Sequence, residues 1–168
     1  MRKKSFAQMR CSLARSLDVI GDWWTPLIVR DVFLGVCRFD ELAHDLGISR
    51  NLLTRRLGVL VRRGILIRER YQARPPRYEY RLGEAGRDLV PALLALTAWG
   101  DRWVAPPEGP PMRLRHTPCG HVAAAVVTCA GCGAPLAADE VVMLPGPGGA
   151  RAPGTMVVAD LISGRPPA

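Results

Sequence analysis

The stretch from Gly35 to Arg81, GVCRFDELAHDLGISRNLLTRRLGVLVRRGILIRERYQARPPRYEYR, constrains this chain more than any other. Phe39, Leu42, Ala43 and Leu46 recur at helical spacing over about two turns, and Gly47 follows as a left-handed C-cap. Ser49 opens a second helix that runs to about Arg63, with Gly64 behind it. On that helix Leu53, Leu57 and Leu60 share one side, while Asn51, Thr54, Arg55, Gly58 and Arg62 share the other. Residues 65–71 and 77–82 then alternate in the two-residue period of half-buried strands, joined by a turn that contains Arg74-Pro75-Pro76. A short helix, a tight turn, a helix and a hairpin follow one another without spare residues.

That order describes a helix-turn-helix followed by a wing. The second helix carries no Asp or Glu, whereas an ordinary solvated face mixes acids with bases. Charge is uneven on the larger scale as well. Residues 1–104 hold 19 Lys and Arg against 11 Asp and Glu, and residues 105–168 hold 4 against 4, so the net charge of +8 sits in the first part. A basic part of this kind is a candidate for polyanion binding. Arg outnumbers Lys 21 to 2, which suits bidentate contacts to phosphate and guanine.

The flanks read as helices. Phe6, Met9, Leu13, Leu17 and Ile20 form one stripe over residues 6–20, and Ala7, Cys11 and Ala14 form a small-residue face opposite. Trp23 to Leu34 is mostly apolar, with Asp22 placed to cap it and Pro26 in its first turn, where a missing N–H costs nothing. Trp24, Leu27, Ile28, Phe33 and Leu34 are expected in the core. Glu84 to Val104 is apolar most of the way round, which a small monomer cannot bury, and the expected cover is a second subunit. No apolar run approaches the ~20 residues that span a bilayer, and the basic start MRKKSFAQMRCS lacks the apolar core of a signal peptide. The expected location is the cytoplasm, where five cysteines point to metal or redox chemistry before a disulfide framework.

From Cys11 to about Trp103 the sequence closely resembles the HxlR-type winged-helix transcriptional regulators. GDWWTPLIVRD, RFDEL, ISRNLLTRRL, PPRYEYRL and the WGDRW close carry the likeness. The resemblance implies a homodimer that binds double-stranded DNA, with the first and last helices of the winged domain at the dimer interface. It also implies that the helix from Ser49 enters the major groove. On this sequence Asn51, Thr54 and Arg55 are then the base-reading candidates, and Arg50, Arg56, Arg74 and Arg77 fall to phosphates. Some family members use a cysteine near the start of the first helix as a sensor of oxidants or electrophiles. Cys11 occupies that place with Arg10 and Arg15 nearby, against the plainer reading of a small thiol packed between helices. Cys37 is read as structural.

After Val104 the composition changes to a Pro-rich linker over residues 105–112, and a small module follows over 113–144. His116-Thr-Pro-Cys119-Gly120 and Cys129-Ala-Gly-Cys132-Gly133 repeat the pattern ligand-x-x-ligand-Gly, the spacing of a zinc knuckle. Together they look like a zinc ribbon whose structural Zn2+ is held by His116, Cys119, Cys129 and Cys132. His121 competes for the fourth position, and the symmetry of the two knuckles favours His116. A disulfide or a redox pair is the non-metal reading. HVAAAVVT between the knuckles reads as a strand, and residues 145–168 as a flexible tail with one possible strand, TMVVADLI.

The expected class is mainly α with a small β-hairpin (α+β): a winged helix-turn-helix domain over residues 1–104 and the zinc-ribbon-like module. Four protein ligands leave a metal no open position, and the H-x-E of zinc deaminases is missing, so no enzymatic role is expected. The function expected is sequence-specific transcriptional regulation by a homodimer at an inverted repeat. Redox sensing through Cys11, and a ribbon-based protein adaptor, are the alternatives.

Overall fold

The computed structural model describes residues 5–164; residues 1–4 and 165–168, the ends of the basic start and of the expected tail, lie outside it. Its elements are α1 (Ser12–Ile20), α2 (Trp24–Leu34), α3 (Phe39–Leu46), α4 (Arg50–Arg62), β1 (Leu66–Gln72), β2 (Arg77–Leu82), α5 (Glu84–Trp103) and α6 (Met156–Ile162). They fall into two compact units. One is Trp24–Pro135, and the other joins Met1–Trp23 to Leu136–Ala168.

In the first unit the core is built from the apolar sides of short helices. Ile28 and Val29 of α2, Leu42 of α3, and Leu53, Leu57 and Leu60 of α4 are almost fully buried, with Ile48 in the turn and Ile65 and Leu66 at the foot of the wing. Removing each such side chain from water is worth about 1.5–3 kcal/mol, which no isolated helix of eight to thirteen residues could gather. Gly47 takes the left-handed conformation at φ 61° and closes α3. At the other end of α3 the Glu41 carboxylate accepts the Arg38 N–H at 3.3 Å. The wing is an antiparallel pair running from Leu66↔Leu82 to Gln72↔Arg77, with a bulge between Arg70 and Gln72. Cys37 adds an edge, its carbonyl accepting the Tyr80 N–H at 2.8 Å.

The base of the wing approaches α5 closely. A Cβ on Gly86 would stand 2.1 Å from the Ile65 carbonyl oxygen, so only glycine allows the contact. Between α2 and α5 lies a groove of about 570 Å3, lined by Leu27, Phe33 and Leu34 on one side, Leu93 and Leu94 on the other, and Leu114 and Val122 from the chain beyond α5. Phe33 and Leu34, expected in the core, are about half exposed along this groove, because the buried side of α2 is made by Thr25, Ile28, Val29, Asp31 and Val32.

Three other expectations are corrected. The helix expected over residues 6–20 begins at Ser12. The Asp18 carboxylate accepts the Phe6 N–H at 2.9 Å and the Ser5 hydroxyl at 2.9 Å, so the preceding residues fold back as a turn. The strand expected in TMVVADLI is the helix α6, led by Thr155, whose N–H donates to the Ala152 carbonyl at 2.9 Å. Among the described residues that unit holds no strand to pair with, and a helix satisfies its own backbone. HVAAAVVT forms no ladder either, and single bridges at Arg115↔Val122 and Thr128↔Pro135 flank a run without regular structure.

Asp31 of α2 is nearly buried and accepts from Arg30 at 2.8 Å. Burial pushes its carboxyl above the ordinary value of 3.8, against the pull of Arg30. A raised value means that the folded state holds the proton more tightly, so this group's contribution to stability is full below 3.8 and declines as pH rises through the folded value. Urea unfolding at a series of pH values should show Asp31→Asn gaining on the wild type through that window and holding a constant difference above it. A fixed difference at every pH would contradict the assignment. Gly86→Ala should cost about 2 kcal/mol or more in the same assay, as overpacking against backbone does.

Candidate nucleic-acid interface

The burial of Leu53, Leu57 and Leu60 turns the opposite side of α4 to solvent. Asn51, Thr54 and Arg55 are all exposed there. The Thr54 hydroxyl donates to the Arg50 carbonyl at 2.8 Å, which directs the side chain back along its own helix. Arg62 is exposed further along. Arg56 is half-buried at the margin between the two sides and does not join the exposed group.

A polar cleft of about 520 Å3 lies beside the start of α4, walled by α3 and the wing. Arg50 and Arg77, predicted from sequence, both line it. So do Arg38, Arg68 and Tyr71, which the sequence reading passed over. Arg50 is held by the Asp40 carboxylate at 2.6 Å and lies over the Phe39 ring at 4.9 Å. Arg68 stacks on Tyr78 at 3.6 Å, and Arg38 lies over Tyr71 at 5.0 Å. Such rings hold a guanidinium in place without neutralising it, although Arg38 is also paired with Glu41 at 3.7 Å, as Arg50 is with Asp40. Arg81, in contrast, is taken up by Glu69 at 2.9 Å and Glu79 at 2.5 Å. Arg74 is exposed in the turn between the strands, where the Gln72 amide donates to its carbonyl at 3.0 Å.

The signal that could have revealed Arg68 and the tyrosines was the recurrence of Arg and Tyr within the two strands; Arg38, ahead of α3, had no such signal. What the sequence lacked was the register that sets Arg68 opposite Tyr80 and Arg70 opposite Tyr78.

Residues 19–108 match the profile of HxlR-like helix-turn-helix proteins. The chain belongs to that family. An HTH-type transcriptional regulator of Mycobacterium tuberculosis (strain ATCC 25618 / H37Rv), Rv3095, is 47% identical over 137 residues, 82% of this chain and 87% of the relative. The solved structure of the transcription factor PA1607 covers 85% of this chain and 100% of its own, at 38% identity and a TM-score of 0.75. HypR, a redox regulator solved in its reduced form, covers 55% of this chain and 92% of its own, at 35% identity and a TM-score of 0.52. This HxlR-like protein is therefore a winged helix-turn-helix regulator of transcription that binds DNA, and not an enzyme. No helix among its described residues is long and apolar enough to cross a membrane.

Of the cysteines in this HxlR-like chain, Cys11 is the half-buried N-cap residue of α1. Burial pushes the Cys37 thiol up, which suits the structural role expected of it. In the module beyond α5, His116 Nδ1 lies 3.2 Å from Cys119 Sγ. Backbone amides of Cys132 and Gly131 reach the Cys129 sulfur and, with the Cys132 thiol, hold it below its ordinary range. The four residues thus form two pairs, and among the described residues no three His, Cys, Asp or Glu side chains converge as a metal group would require.

Because Asp40 and Arg50 are both mostly exposed, their pair should contribute under about 1 kcal/mol to stability. Urea unfolding of Asp40→Asn is expected to stay within that margin of the wild type.

Proposed function

We propose that this regulator acts in the cytoplasm as a homodimer on an inverted-repeat operator, with α4 in the major groove and the wing against the flanking backbone. The observation that carries this reading is the exposed side of α4, where Asn51, Thr54 and Arg55 stand together on a helix with no acidic residue, beside a cleft lined by arginines. Asn51 offers a donor and an acceptor that match the major-groove edge of adenine, and Arg55 a fork that matches guanine. Thr54 has its hydroxyl proton engaged by its own helix, which leaves a methyl for thymine. Arg50 and Arg77, with Arg38 and Arg68 beside them, supply charge for phosphates, as do Arg74 on the wing and, more weakly, Arg56.

Exposed apolar surface on the flanking helices supports the dimer. None of the residues of α1 is buried, and Leu13 is 69% exposed. On α5 only Gly86 is buried, while Trp99 and Trp103 are 56% and 62% exposed. Monomeric surfaces rarely carry so many large apolar groups on one helix. A two-fold dimer would cover them and set two copies of α4 one helical turn of DNA apart.

The test begins with selection of bound DNA from a random pool, which should return an inverted repeat with half-sites about 10 base pairs apart. Arg55→Ala should then cost about 1–3 kcal/mol at the selected site and relax the preference at one position. Arg77→Ala should weaken selected and scrambled sites alike and lower the salt slope by about 1. A pool that returns single half-sites, with a monomer in sedimentation, would sink the dimer.

A further inference from the structure

The chain beyond α5 contains the same structure twice. In the first loop the His116 N–H donates to the His121 carbonyl at 2.9 Å, and the Gly120 N–H returns to the His116 carbonyl at 2.7 Å. In the second the Cys129 N–H donates to the Ala134 carbonyl at 2.8 Å, and the Gly133 N–H returns to the Cys129 carbonyl at 2.8 Å. The glycines adopt φ of 74° and 76°, and a single bridge closes each loop, Arg115↔Val122 in one and Thr128↔Pro135 in the other. Residue by residue, His116 corresponds to Cys129, Cys119 to Cys132, and His121 to Ala134.

Each loop brings its first and fourth side chains together, as a two-coordinate half-site requires. His116 Nδ1 and Cys119 Sγ are 3.2 Å apart, and the matching backbone bonds of the second loop set Cys129 and Cys132 at the equivalent positions. Little apolar burial supports these loops. No residue between 113 and 135 belongs to the buried core, and Val122, Val126 and Val127 are at least half exposed. A segment of this size with no apolar core needs a metal or a cross-link to hold one shape.

We infer that His116, Cys119, Cys129 and Cys132 bind one structural Zn2+ per chain, and that His121 is not a ligand. Three thiols give up their protons to solvent on binding, and the neutral imidazole supplies the fourth donor. Soft sulfur with one imidazole selects Zn2+ among abundant divalent ions by ligand type and tetrahedral geometry. The two half-sites are prepared but separate; the metal draws them together across residues 123–127, which make no ladder that would resist it. His121 stands where the second loop has Ala134, at the carbonyl that closes the loop and not at a ligand position. Leu114, Val122 and Ala123 also line the groove between α2 and α5, so the zinc would fasten the segment that forms part of its wall. The inference is independent of how the protein reads DNA.

The test is metal analysis of the untagged full chain purified under reducing conditions, followed by Co2+ substitution. About one zinc per chain is expected, and Co2+ should give the intense visible and thiolate charge-transfer bands of a tetrahedral sulfur-rich site. Cys119→Ser, Cys129→Ser and Cys132→Ser should each lose those bands, while the Cys37→Ser control keeps them. His116→Ala should weaken zinc by at least about tenfold against a chromophoric chelator, and His121→Ala should leave it unchanged. The inference is overturned by wild type that contains no zinc and takes up neither Zn2+ nor Co2+. Half a zinc per chain, or binding that survives Cys119→Ser, overturns it equally. Loss with His121→Ala but not His116→Ala overturns the ligand assignment. The wild-type stoichiometry and Co2+ spectrum decide the matter even where a variant fails to fold.

Discussion

The burial of Leu53, Leu57 and Leu60 is the interaction on which the rest of the winged unit depends. These three side chains meet Ile28 and Val29 of α2 and Leu42 of α3 within one core, and in doing so they fix the rotation of α4 about its own axis. For a helix that reads DNA, rotation about its own axis decides which residues it turns outward. Leucines at positions 53, 57 and 60 settle that without any contact from the exposed side. Asn51, Thr54 and Arg55 are therefore presented by packing behind them, and their own chemistry is left unspent.

Much of this was legible in the sequence because it was written in local rules. Gly47 and Gly64 mark the ends of α3 and α4, the leucine repeat names the buried side, and the alternation over residues 77–82 gives β2 with its bounds. The less legible parts depend on partners far along the chain. The start of α1 is set by Asp18, which reaches back to Ser5 and Phe6, and no periodicity reports a carboxylate that competes for backbone amides. TMVVADLI is too short and too evenly apolar to announce a period, and only the lack of a strand beside it decides for α6. Phe33 and Leu34 looked like core because they are apolar, yet α2 has a second side, and that side faces a groove.

The candidate interface shows the same division. Arg50 and Arg77 lie near recognisable turns and could be named in advance. Arg38 precedes a helix and Arg68 sits within a strand, and they join the other two only because the hairpin folds back over α3. Tyr71 and Tyr78 complete the cleft as supports, each beneath a guanidinium. An aromatic ring beneath a guanidinium leaves its charge available to an anion, whereas a carboxylate competes for it: two glutamates on Arg81, and one acid each on Arg38 and Arg50.

The pair between Arg50 and Asp40 has a consequence of a different kind. An anion that takes Arg50 must first displace a carboxylate already seated at 2.6 Å. The exchange costs the same whatever bases lie nearby, so it lowers the hold on all DNA by a constant factor and leaves the ranking of sites unchanged. In a cell most of a regulator's competitors are the unselected sequences of the chromosome. On the proposed reading, in which Arg50 meets a phosphate, Asp40 is a rival built into the binding surface and is met at every site alike.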